Sequence, residues 1–300
     1  MSQLLLDCLS HKQQQNIYMK IGMNMHLWSN EITVEHFKYL ELIKEIGYDG
    51  IEIFLAEPEK TDLKNLNTFL KDNEMECLGA LGVGPDNNPA SPDASVRQAG
   101  LDTIKRAIDG LHAVDGVNLC GPYHSAFATF TRNAPQEDEY KRSAEVLREA
   151  AEYAQQANIT LTPEALNRFE CYLVNTMKQL KHLVQLVDHP ALGGMYDPHH
   201  ANIEEKSQKQ AILDIEPVLT YVHISENDRG TPGTGHVQWD EIFNTLKSIN
   251  YDGWMTIEAF SRANEDFANA INVWRDFNPR DEIAKDGFSF VKQMLAKHYT

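Results

Sequence analysis

Four short apolar runs in this chain each end on a side chain able to hold a hard cation: Thr162-Pro163-Glu164, Met195-Tyr196-Asp197, Tyr221-Val222-His223 and Thr256-Ile257-Glu258. The terminal residues are separated by 33, 26 and 35 positions (164 to 197, 197 to 223, 223 to 258). A strand and its following helix occupy roughly 30 residues, so each candidate ligand falls one strand–helix unit after the last. In a closed parallel barrel the C-terminal strand ends share one face, and catalytic groups collect there. The spacing therefore predicts an α/β fold, a (β/α)8 barrel, with Glu164, Asp197, His223 and Glu258 meeting around one divalent ion.

The rest of the chain agrees with that period. Apolar runs with strand character lie at 20–25, 49–54, 74–81, 117–120, 159–164, 192–197, 218–223 and 253–258. Between them, helical spacing of apolar residues is read at 33–46, 63–70, 95–114, 137–157, 174–187, 207–215 and 239–249. The first of these has Val34, Phe37, Leu40, Ile43 and Ile46 on one face, with Gly47 at the stop position. Residues 266–299 read as two helices broken at Asn278-Pro279, a C-terminal extension that closes the ring and offers an association surface. A homo-oligomer, dimer or tetramer, is expected from it. Residues 1–18 read as a loosely ordered N-terminal extension without the basic start of a signal peptide, and 19–300 as one barrel domain.

Composition narrows the function. A net charge of −17 argues against a surface that neutralises nucleic-acid phosphates or sits on anionic lipid. No apolar run approaches the ~18 residues of a membrane span. The four cysteines, Cys8, Cys77, Cys120 and Cys171, form no C-x-x-C pair and read as free thiols in a reducing compartment. A cytoplasmic protein is the expectation.

Each ligand candidate also has an ordinary explanation. Glu164 can pair with Arg168, Asp197 can cap a helix that starts at Pro198, and a lone His223 can be a satisfied core residue. These three explanations, with a fourth needed for Glu258, falling at four matching strand ends are together less economical than one metal site. Three carboxylates and one imidazole favour Mn²⁺ or Co²⁺, or Mg²⁺, over a structural zinc, which prefers sulfur and nitrogen. An ion there would act as a Lewis acid on a carbonyl. Glu164 and Glu258 come from strands three units apart and can flank a substrate from opposite sides, as removal and return of a proton on opposite faces requires. Glu170, His200 and Arg229 are candidates to bind substrate oxygens, and Phe260, Trp28 and Tyr123 to wall the pocket. The segment Gly230-Thr231-Pro232-Gly233-Thr234-Gly235-His236 matches no phosphate-binding fingerprint and reads as a turn-rich loop over the site.

Several segments resemble the D-tagatose/D-psicose (ketose) 3-epimerases of the xylose-isomerase-like barrel superfamily. They are Asn167-Arg168-Phe169-Glu170, His200-Ala201-Asn202-Ile203-Glu204-Glu205, the 230–236 loop with Trp239-Asp240-Glu241-Ile242-Phe243, and Tyr251-Asp252-Gly253 leading to Ile257-Glu258-Ala259-Phe260. The likeness is specific over 159–260 and only architectural before it. It implies a metal, often manganese or cobalt, on Glu164, Asp197, His223 and Glu258. It also implies inversion at C3 of a ketose through an enediolate by Glu164 and Glu258. Glu170, His200 and Arg229 would hold the oxygens around C1 to C3, and Phe260 would bound the pocket. Pro198-His199 and Ala259 depart from the family's usual Thr-Phe and Pro, beside ligands, and bear on substrate preference. An aldose–ketose or hydroxypyruvate-type isomerase on the same metal site is the alternative. A DNA-repair phosphodiesterase would need more metals and a basic groove, and a sugar-binding barrel would not need two placed glutamates.

Overall fold

Strand and helix alternate because the strands are largely buried on both faces while each helix carries one apolar stripe. In the computed structural model, which describes residues 19–299, the strands are β1 (Ile21–Asn24), β2 (Gly50–Phe54), β3 (Glu76–Ala80), β4 (Asn118–Gly121), β5 (Thr160–Pro163), β6 (Gly194–Tyr196), β7 (Leu219–Ile224) and β8 (Trp254–Ile257). All are parallel, in the order β5-β4-β3-β2-β1-β8-β7-β6. A parallel bridge between Leu161 and Leu192 joins the two ends and closes the barrel. Residues 1–18, and Cys8 with them, lie outside the described residues. No helix among the described residues is long and apolar enough to cross a membrane.

The outer ring is α1 (Phe37–Ile46), α2 (Leu63–Asp72), α3 (Ala94–His112), α4 (Glu137–Gln156), α5 (Met177–Val187), α6 (Pro198–Glu204), α7 (Gln208–Ile215) and α8 (Trp239–Ser248). Each begins or ends where local chemistry dictates. Helix α1 buries Leu40 and Ile43 and stops at Gly47, whose φ of 109° is left-handed; each of the two aliphatic side chains contributes about 1.5–3 kcal/mol on burial. Helix α5 starts later than the apolar spacing suggests, because Thr176 caps it and accepts from Gln179 N. The 33–46 segment opens with a 3-10 turn, Val34–His36, before α1 begins. Helix α6 is the helix that the alternative reading of Asp197 as a cap required, although the apolar spacing does not mark it. Its signal is Asp197-Pro198, an N-cap followed by proline in the first turn.

After β8 come α9 (Glu265–Ala270) and α10 (Arg280–His298), with Pro279 at the N-cap of α10, as the Asn278-Pro279 break implied. Helix α10 lies back on the ring, where Tyr48 donates to Ala284 O at 2.7 Å. Helix α9 reaches the barrel mouth instead.

Candidate active site

Strand register brings the four ligand candidates level. Tyr196 pairs with Val222, so Asp197 and His223 are the next residues of adjacent strands. Ile224 pairs with Ile257, and Glu258 N donates to Ile224 O at 3.2 Å. Glu164 N donates to Gly121 O at 3.0 Å. Gly121 has φ of 117°, and a Cβ there would lie 2.4 Å from Leu81 O, so only glycine makes this turn.

The four side chains meet. Their ligand atoms all lie within 4.8 Å of one another, and all four residues are buried. His223 Nδ1 is central, 3.5 Å from Glu258 Oε2, 3.8 Å from Asp197 Oδ2 and 4.0 Å from Glu164 Oε1. Two of these atoms, Glu164 Oε1 and His223 Nδ1, are fully buried without a hydrogen-bond partner. Native proteins rarely leave such atoms orphaned, and a divalent cation between them would satisfy both. Three carboxylate oxygens and one imidazole nitrogen suit such an ion.

The ordinary explanations fare differently. Arg168 pairs with Glu204, through Nε and Nη2 at 2.9 Å each, and not with Glu164. Asp197 does cap α6, its Oδ1 accepting from His199 N at 2.7 Å, but Oδ2 remains on the cluster side. His223 is held from behind: Nε2 lies 3.2 Å from Glu52 Oε2. An Nε2–H donated to that carboxylate leaves the Nδ1 lone pair facing the cluster, the orientation a metal-binding imidazole needs.

Burial and mutual repulsion set the charges. Glu164 is pushed well above the ordinary carboxylate range by burial and then by the Glu258 charge. Burial would lower His223, yet the Glu52 and Glu258 carboxylates hold it well above the usual imidazole value. Asp197 is also buried, but Arg229 and His200 keep it well below the usual carboxylate value. Without an ion, then, protons occupy part of the cluster.

The substrate-side candidates gather at the same place. Arg229 Nη1 bonds Glu258 Oε2 at 2.5 Å and Asp197 Oδ2 at 3.1 Å, and Nη2 lies 3.0 Å from His200 Nε2. Arg229 thus touches two ligand candidates as well as the cavity, which spacing alone did not reveal. Its guanidinium lies 4.9 Å from the Phe260 ring centroid. Glu170 is tied by Asn167 Nδ2 at 3.0 Å, and its carboxyl is raised by burial, partly offset by Arg229. Glu164, Glu170, His200, His223, Arg229, Glu258 and Phe260 all line one cavity of about 440 Å³. Trp28 and Tyr123 do not: Trp28 stacks on Tyr39 and Tyr123 donates to Leu119 O. The 230–236 loop is pinned by Glu226, which accepts from Gly233 N, Val237 N and Trp239 Nε1 at 2.8–3.1 Å.

Sequence reasoning passed over Glu52 and His26. Glu52 is an acid in the middle of a buried strand, and His26 follows β1 as the ligand candidates follow theirs. Glu52 Oε2 also accepts from Tyr221 Oη at 2.5 Å and Cys120 Sγ at 3.1 Å, and Oε1 from Asn24 Nδ2 at 2.6 Å. Both signals were visible in the residue types alone.

Fold and site together define an α/β barrel enzyme whose chemistry is placed at the C-terminal mouth, on a buried cluster of three carboxylates and a histidine. Residues 40–294 match the family model of the xylose isomerase-like TIM barrel. The chain is 30% identical over 281 residues to the ketose 3-epimerase of Arthrobacter globiformis, covering 92% of this chain and 97% of that one. It is 31% identical over 271 residues to the D-psicose 3-epimerase of Agrobacterium fabrum, covering 89% and 94%. The crystal structure of D-allulose 3-epimerase from Methylomonas sp. in complex with D-allulose superposes with a TM-score of 0.88 at 28% identity, covering 92% of this chain and 97% of that chain. The protein belongs to the xylose isomerase-like TIM barrel family and, within it, to the ketose 3-epimerases, which are isomerases.

Proposed function

We propose that this protein is a metal-dependent epimerase that inverts C3 of an unphosphorylated ketose through an enediolate. The observation that carries the reading is the placement of two glutamates, Glu164 and Glu258, in one buried cluster with Asp197 and His223. The proposed ion is Mn²⁺ or Co²⁺, with Mg²⁺ as the weaker candidate, held by those four residues. When bound, it polarises the C2 carbonyl and neutralises charge developing on the enediolate oxygens.

The protein's own groups do the rest. One glutamate takes the C3 proton, and the C3–H bonding pair moves into the enediolate. The other glutamate delivers a proton to C3 from the opposite face as the C2 carbonyl re-forms. One proton has then passed from one glutamate to the other, and the reverse reaction starts from that state. Arg229 and His200, 3.0 Å apart, and Glu170 orient the oxygens of C1 to C3. Phe260 forms the floor beneath Arg229. Arg229 is the only lysine or arginine lining the cavity among the described residues, and it is committed to Asp197 and Glu258. A sugar phosphate would find no free cation there. Three buried free thiols, Cys77, Cys120 and Cys171, support a cytoplasmic setting.

The test is proton exchange. Metal-loaded enzyme incubated with D-fructose, D-tagatose or D-allulose in D2O should place deuterium at C3, located by NMR. Glu164→Gln and Glu258→Gln should each lower kcat by at least ~100-fold. Deuterium at C1 or C2 and never at C3 identifies an aldose–ketose isomerase on the same site.

A further inference from the structure

His26 lines the cavity and has no role in the chemistry above. Past β1, Asn24 Oδ1 accepts from His26 N at 2.8 Å and turns the chain into the short 3-10 segment Met25–Leu27. That turn sets His26 in the cavity wall, where the residue is only 6% exposed. Its ring stacks on Phe267 of α9 at 4.0 Å between centroids, tilts against Phe54 at 4.8 Å and meets the edge of Phe260 at 6.2 Å. Its Nε2 is enclosed and has no hydrogen-bond partner among the described residues. The lining of the cavity also holds the apolar Leu81, Val83, Phe127 and Ile271, with Asn30 and Asp266 as further polar residues; Asn30 Oδ1 accepts from Asn264 Nδ2.

An unpaired imidazole in an aromatic box is a costly arrangement if packing is its only purpose, since phenylalanine would fill the space without a polar group to desolvate. A neutral imidazole offers one N–H donor and one lone pair, the pair of functions a sugar hydroxyl complements. Burial lowers its pKa to about 4, so the ring is neutral at pH 7 and would not attract a charged tail.

We infer that His26 is a specificity-determining residue that hydrogen-bonds a substrate hydroxyl beyond the reacting carbons, on C4, C5 or C6 of the ketose. The inference rests on the ketose reading above. The apolar residues then accept the carbon chain of the sugar, and His26 supplies a polar contact among them. A ketose lacking that hydroxyl leaves the imidazole unpaired and binds more weakly.

The experiment measures binding, so that it stands apart from turnover. Mn²⁺-loaded wild type, His26→Phe and His26→Gln are titrated calorimetrically with the best-binding sugar among D-fructose, D-tagatose and D-allulose, and with its 4-, 5- and 6-deoxy analogues. Wild type should bind one of the analogues about tenfold more weakly than the parent, the effect of one neutral hydrogen bond. His26→Phe should bind the parent about tenfold more weakly, lose discrimination against that same analogue, and keep the metal stoichiometry of wild type. His26→Gln should recover part of the parent's affinity. Equal affinity of wild type and His26→Phe for the parent overturns the inference, as does an equal loss for the parent and all three analogues. The comparison of analogues on wild type needs no variant to fold. A sugar that binds in a His26-dependent way but never exchanges its C3 proton would sink the epimerase reading and leave this one standing. Wild type that binds none of the sugars overturns both.

Discussion

Replacing Glu52 with glutamine should weaken metal binding although Glu52 is not among the proposed ligands. Its Oε2 accepts from three donors, Tyr221 Oη at 2.5 Å, Cys120 Sγ at 3.1 Å and His223 Nε2 at 3.2 Å, while Oε1 accepts from Asn24 Nδ2 at 2.6 Å. Glutamine has one acceptor oxygen and one NH2 group. With the NH2 toward His223, it faces three donors. With the NH2 toward Asn24, it faces an amide that can turn only by breaking the bond between Asn24 Oδ1 and His26 N. Either way the acceptor that holds the proton on Nε2 is weakened, and the imidazole is free to carry it on Nδ1, the atom that faces Glu164, Asp197 and Glu258. Loss of such a partner behind a ligating histidine typically costs 10–100-fold in affinity, or about 1.4–2.7 kcal/mol. Titration calorimetry with Mn²⁺ at constant pH reads this directly, and circular dichroism reports whether the variant is folded. A folded Glu52→Gln protein with Mn²⁺ affinity within twofold of wild type would refute the reasoning, because His223 would then not depend on Glu52 for its orientation.

Mn²⁺ uptake should release protons and tighten as pH rises from 6 to 8, because His223 and Glu164, both held above their ordinary values, must lose protons to ligate; binding heats that do not vary with buffer ionisation enthalpy would contradict this. Arg229→Ala should raise KM for the ketose at least tenfold while still taking up one Mn²⁺ per chain. Removing the cation strands the buried charges of Asp197 and Glu258, so the metal-free variant should lose about 3–5 kcal/mol and gain more in Tm on Mn²⁺ addition than wild type does. An equal gain in both would count against that pairing. Buried His124 is lowered to about 4 and its Nε2 meets Glu164 O at 2.8 Å. Its unfolded form takes up a proton first as pH falls, so its stabilising contribution is complete above about pH 6.5 and lost toward pH 4, roughly 2 kcal/mol between pH 7 and 5. Urea midpoints of metal-free His124→Gln, though lower at pH 7, should therefore fall less on acidification than those of wild type; parallel falls would exclude His124 as a source.

The sequence carried the barrel because its signals are local and repeated. Apolar runs of strand length, amphipathic spacing such as Leu40 and Ile43, and stops such as Gly47 each follow from nearby residues, and their period implies closure. It also carried the position of each ligand candidate at a strand end, and the helical break at Pro279. What it left open depends on residues far apart in the chain. Glu52 and His223 are 171 positions apart and meet only across the barrel interior. Arg229 looked like a substrate contact from its loop, and the folded chain brings Asp197 and Glu258 to the same guanidinium nitrogen. His26 was passed over as the end of a strand until α9 laid Phe267 against its ring. Periodicity places a residue on a face of its own element, whereas a side chain's partners are set by register and closure among elements, which only the folded chain decides.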